Sequence, residues 1–133
     1  VWTLAANTTY IMEGMYNITK TTNSVTTGLA FALGGSVTSI RYYVIAHNAA
    51  LDTVTATNAN TLVDQVSATV VNATSAANFN CYFRGLIRTN AAGTVTPQIN
   101  FSGTTTAPVM KAGSYITFTP IGTDTNNIVG NVG

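Results

Sequence analysis

The stretch Ser24-Val25-Thr26-Thr27-Gly28-Leu29-Ala30-Phe31-Ala32-Leu33-Gly34-Gly35 decides the fold class. Val25, Thr27, Leu29, Phe31 and Leu33 point one way in an extended chain. Ser24, Thr26, Gly28, Ala30 and Ala32 point the other. A two-residue period of this kind belongs to a β-strand and not to a helix. Gly34-Gly35 then predicts a break in the strand.

The same alternation recurs on both sides of this segment. Over 9–20 it places Tyr10, Met12, Gly14, Tyr16 and Ile18 on one face. Over 37–47 it sets Ile40, Tyr42, Val44 and Ala46 against Arg41, Tyr43, Ile45 and His47. A polar stretch at 48–60 reads as a long loop. Segment 61–71 predicts a further strand. Segment 78–89 alternates Phe79, Cys81, Phe83, Gly85 and Ile87 against Tyr82, Arg84, Leu86 and Arg88. Asn90-Ala91-Ala92-Gly93 predicts a tight hairpin turn, with Gly93 taking the positive φ. It would join 78–89 to 94–101, where Val95, Pro97, Ile99 and Phe101 share a face. Pro97 has no N–H to donate, so it belongs on an edge or at a bulge. Residues 102–113 read as a loop, 114–121 as the last clear strand, and 122–133 as an irregular tail.

Composition agrees. Threonine fills 25 of the 133 positions, and strong helix formers are scarce. The expectation is all-β: a jelly-roll β-sandwich of about eight antiparallel strands in a single domain spanning 1–133, with an N-terminal arm at 1–8. A chain of this length buries roughly two-thirds of its unfolded surface, enough for a core without metals or disulfides.

The charged fraction is 7%, against roughly 25% in an average soluble protein. The surface must then be Thr, Asn, Ser and Ala, which suits close packing against other protein. A net charge of +1 gives little repulsion between copies. Lys20, Arg41, Arg84, Arg88 and Lys111 are scattered, which argues against nucleic-acid binding. No apolar run is long enough for a membrane helix, and Val1-Trp2-Thr3-Leu4 does not read as a signal peptide.

Chemistry-bearing residues are few. His47 is the single histidine, so one chain cannot build a multi-histidine metal site. It reads as a polar residue at a strand end. Cys81, alternating with Phe79 and Phe83, reads as a buried structural cysteine, and no intrachain disulfide is possible. Glu13, Asp52, Asp64 and Asp124 lie in separate segments with no spacing that suggests a carboxylate pair. Glu13 is either solvent-facing or buried with a cationic partner, for which Arg41, Arg84 and Arg88 qualify. Four Asn-x-Ser/Thr matches are discounted in a chain so rich in Asn and Thr. The expectation is no enzyme, no cofactor and no metal.

The outward faces carry more information. Tyr43, Ile45, Tyr82 and Leu86 lie opposite the core residues of their strands. A monomeric sandwich keeps that face polar. Apolar residues on both sides predict that another subunit covers one sheet. Arg84 and Arg88, on one face, suit pairing at that boundary.

Tyr16 through Thr19, Thr38 through Tyr43, Arg84 through Thr94, Pro97 through Ser102 and Ser114 through Gly122 together resemble a set of small structural proteins of tailed bacteriophages. The resemblance covers most of the chain from about residue 9 to 123 and includes no catalytic motif. It implies a trimeric jelly roll, similar to the tumour-necrosis-factor and C1q domains, whose last strand lies near the threefold axis. Tyr115 or Phe118 would then approach the axis; strand alternation forbids both on one face. The function implied is a capsid decoration (cement) protein, bound to the major capsid protein on the outer capsid surface of the virion. Trp2 and Leu4 in the N-terminal arm would contact the capsid or a neighbouring subunit. The alternative is a receptor-binding or fibre and tail-tip domain using loops 48–60 and 102–113. The threefold order comes from the resemblance alone; composition equally permits a dimer or pentamer.

Overall fold

The computed structural model describes residues 1–20, 25, 27–48, 54–61, 69–72, 78–103 and 108–125, with the backbone alone at 36, 46–48, 54–61, 69–72, 78 and 79. The fold is all-β and antiparallel, a curled sheet of eight strands that closes on itself as a sandwich of jelly-roll type. In chain order the strands are β1 (Trp2–Leu4), β2 (Thr8–Thr19), β3 (Thr27–Asn48), β4 (Val54–Thr61), β5 (Thr69–Asn72), β6 (Asn78–Phe101), β7 (Val109–Met110) and β8 (Tyr115–Thr123).

Two very long strands make the architecture. β3 and β6 pair along their whole length, from Thr27 opposite Phe101 to Asn48 opposite Phe79. Phe31 and Val44 are 13 positions apart on β3, about 43 Å if the strand ran straight. Yet the ring of Phe31 lies 5.6 Å from that of Phe83, which is paired with Val44, and 5.1 Å from that of Tyr42. The ladder must therefore fold over. It does so where Gly35 faces Gly93, with register shifts between Gly35, Val37 and Ser39. Gly35 has φ of 80°, a region closed to most side chains.

This corner corrects two expectations. Gly34-Gly35 does not end a strand, and Asn90–Gly93 is not a hairpin. Each is half of one shared bend, and the chain stays paired through it. A hairpin would pair 78–89 with 94–101, but β3 already occupies that edge of both segments. Corners made by strands that pass from one layer to the other are a known solution in sandwiches.

One layer thus runs β4–β3–β6–β2–β8 and uses the second half of β3 and the first half of β6. The other runs β5–β3–β6–β1 and uses the remaining halves. Between them lies the core: Tyr10, Met12, Tyr16, Ile18, Ile40, Tyr42, Val44, Cys81, Phe83 and Ile87 from the first layer, and Leu4, Leu29, Phe31 and Val95 from the second. These are the inward positions that alternation predicts for β2, β3 and β6. Past Val95, β6 has a described partner on one side only, which suits Pro97.

Two further expectations need correction. Residues 48–60 are not all loop, because β4 pairs with Ile40–His47 of β3. Its sequence, Val-Thr-Ala-Thr-Asn-Ala-Asn-Thr, lacks large apolar residues and so carries no alternation signal. The N-terminal stretch is not a free arm. β1 pairs with Gly93–Val95, and Leu4 is buried because it fills a core position. The following turn is fastened as well: the Ala5 N–H donates to Tyr10 Oη at 2.8 Å, and Thr89 Oγ1 donates to the Ala5 carbonyl at 2.6 Å. The strand expected at 61–71 is β5 at its end, and 62–68 lie outside the described residues. β8 extends to Thr123, beyond the expected start of the tail at 122.

Candidate assembly interface

Strand register places the outward residues of the first layer in three rows. The first reads Ile45, Tyr82, Met15 and Tyr115 across β3, β6, β2 and β8. The second reads Tyr43, Arg84, Glu13 and Thr117. The third reads Arg41, Leu86, Ile11 and Thr119. Directly opposed residues on one face of antiparallel strands are about 5 Å apart, so these side chains form one continuous surface. Tyr43, Leu86 and Tyr115 are 40%, 43% and 41% exposed, high values for such large apolar side chains. The Tyr43 and Tyr82 rings lie 6.4 Å apart in a tilted pair. Partial burial raises the Tyr82 phenol above its ordinary pKa. Glu13, Tyr43 and Tyr115 push in the same direction, and Arg84 pulls against them.

Glu13 sits in the middle of this surface. Its Oε2 lies 3.6 Å from the Nε of Arg84, the residue directly opposite on β6. Glu13 is not buried: it lies on the outward face, 34% exposed, and of the three possible arginines it meets Arg84. The pair is partly exposed, at 50% and 34%, so it contributes little to the stability of one chain.

The other predicted surface residues separate. Arg88 shares the outward parity but turns to the end of β8. It donates to the backbone carbonyl of Asp124 and, at 3.1 Å, to Asp124 Oδ1. The Asp124 N–H donates in turn to the Asn7 carbonyl at 3.1 Å. Phe118 lies on the inner face of β8, packed against the core, with its ring 5.7 Å from that of Trp2. Of the two aromatics on the last strand, Tyr115 therefore faces outward. Trp2 spans the seam between β1 and β8, each of which pairs with one strand among the described residues. A crevice of about 530 Å³ follows that seam, lined mostly by apolar side chains including Tyr16, Ile99 and Ile116.

Cys81 is buried beside Tyr16, and burial pushes its thiol pKa up to about 12. The thiolate, which is the reactive form, is thereby suppressed. His47 lies one residue before the end of β3, opposite Val54. Asp52 and Asp64 lie outside the described residues. No three His, Cys, Asp or Glu side chains gather among the described residues. Lys20, one of the scattered cations in the sequence, is fully buried. Its ammonium donates to the Val25 carbonyl and, at 3.4 Å, to Thr27 Oγ1. Its position at the end of an alternating strand, in phase with Ile18, was the available signal. No helix of the described residues is long and apolar enough to cross a membrane.

Comparison with protein-family models, with curated protein sequences and with solved structures gave no match to this chain.

Proposed function

We propose that this chain is a virion structural protein of a tailed bacteriophage, a decoration protein that binds the outside of the capsid as a homotrimer and stabilises it. The observation that carries the reading is the outward face of the first layer. Seven large apolar or aromatic residues (Ile11, Met15, Tyr43, Ile45, Tyr82, Leu86 and Tyr115) share it in register, on a domain with 7% charged residues. A face of that kind is energetically poor when wet and favourable when covered by another subunit. Closed symmetry covers such a patch without growing open fibres. The virion setting and the threefold order rest on the sequence resemblance. The chemistry required is binding alone: buried area, multiplied over many copies on the major capsid protein lattice.

The test is the protein stoichiometry of intact particles, measured by mass. Hundreds of copies per particle are expected. A few trimers per particle would instead make the chain a fibre or tail-tip domain. Absence from purified particles would end the virion reading.

A further inference from the structure

Eight large apolar side chains stand exposed among the described residues. Six of them lie on two surfaces. Tyr43 and Leu86 are on the outward face of the first layer, Val1, Trp2 and Met110 are along the seam, and Tyr115 is on the border between the two. The two surfaces differ in shape. The face is the flat side of a sheet from which side chains project. The seam is a crevice of about 530 Å³ that reaches inward to the buried ring of Tyr16. Among the described residues, no Asp, Glu, Lys, Arg or His lines it.

One wall of the crevice is β6 past Val95, where Pro97 has no N–H to donate. A proline on a sheet edge blunts the addition of another strand. The crevice is therefore suited to side chains that enter it from an apolar surface. Two crevices set mouth to mouth would leave a void between them. Two faces set against each other would leave both seams wet. The face of one copy set into the seam of the next covers both apolar surfaces of every copy with one kind of contact.

We infer that the contact between copies is heterologous, and that the seam of one copy receives Tyr43 and Leu86 from the outward face of the next. The occupant of the crevice is thus a second copy of this chain. Because the two surfaces are neighbours on one molecule and meet at Tyr115, each added copy turns back toward the first, which closes a ring instead of extending a fibre. This rests on the assembly reading above and adds the surface that the face meets.

The experiment combines two single lesions with sedimentation. Leu86→Arg damages the face and leaves the seam whole; Met110→Arg damages the seam and leaves the face whole. Both side chains are exposed in the single chain, so each variant should keep its β-sheet circular dichroism. Tyr43→Arg or Met110→Glu takes the place of a variant that does not. Each variant alone should self-associate about 100-fold more weakly than wild type, because an unpaired charge enters every contact. Mixed at submillimolar concentration, the two should form a 1:1 complex of twice 13.9 kDa that grows no further, since one intact seam meets one intact face. Trp2, the single tryptophan, supplies a second readout. Its emission should shift to the blue when wild type assembles and when the two variants are mixed. The inference is overturned if the mixture forms no complex, if either variant alone assembles as wild type does, or if assembly leaves Trp2 emission unchanged. With an oligomeric wild type, no complex on mixing or an unchanged Trp2 emission would still leave the assembly reading in place. A wild-type monomer would remove both.

Discussion

At Gly85 an alanine methyl would overlap backbone, not a flexible side-chain tip. Backbone cannot step aside without breaking the β3–β6 ladder. Gly85→Ala should therefore cost about 3 kcal/mol, the upper part of the range for overpacking. Chemical denaturation measures it, and a loss under about 1 kcal/mol would show that the strands separate easily there. Cys81 gives a second prediction at this scale. Its thiol pKa is raised from 9.0 to about 12, so the folded state keeps the proton that the unfolded chain loses. Stability from this group is complete below the unfolded value and falls as pH rises through the window from 9 to 12. The slope is about 1.4 kcal/mol per pH unit. A Cys81→Ala variant should show a shallower decline of the denaturation midpoint over that window; an identical decline would assign the effect to other groups, such as Tyr16, whose pKa burial also raises. Much was readable at this scale. Alternation alone placed Met12, Tyr16, Cys81, Phe83 and Ile87 inside and Tyr43, Tyr82 and Leu86 outside, because a strand's parity is rigid. The partner of Glu13 was not readable: the choice of Arg84 over Arg41 or Arg88 depends on register between β2 and β6, which no local pattern encodes.

Among the elements, the corner and β1 departed most from expectation, and for different reasons. Glycine pairs and Asn-Ala-Ala-Gly are turn signals when each segment is considered by itself. Here Gly35 and Gly93 face each other, so the same residues bend a two-strand ladder without ending it. Only the pairing of segments far apart in sequence distinguishes the two outcomes. Gly35→Val should strain the positive φ and crowd Gly93 Cα, 3.0 Å from the added Cβ. A marked loss of thermal stability is expected, and an unchanged melting temperature would place the bend elsewhere. For β1 the missing information was the vacant core position that Leu4 occupies. Leu4→Ala should destabilise the single chain by roughly 3 kcal/mol, as a buried leucine does when truncated. An effect near zero in denaturant titration would return the N-terminal stretch to the role of a free arm. β4 was hidden for a third reason: its edge strand is built from Thr, Ala and Asn, whose small size erases the apolar signal.

For the whole molecule, one outward face of a nearly uncharged sandwich carries aromatics and long apolar side chains in register, with one ion pair at its centre. The two apolar surfaces, this face and the seam beside Trp2, meet at Tyr115, which belongs to both. Tyr115 is therefore where a charge should do the most damage to assembly and the least to the core, since its side chain is exposed in the single chain. The most direct test of the central claim is sedimentation of the wild-type chain and the Tyr115→Arg variant at micromolar concentration. The account predicts a wild-type particle of three times 13.9 kDa and a variant that dissociates while keeping its β-sheet circular dichroism. A folded, soluble 13.9 kDa wild-type monomer would contradict it.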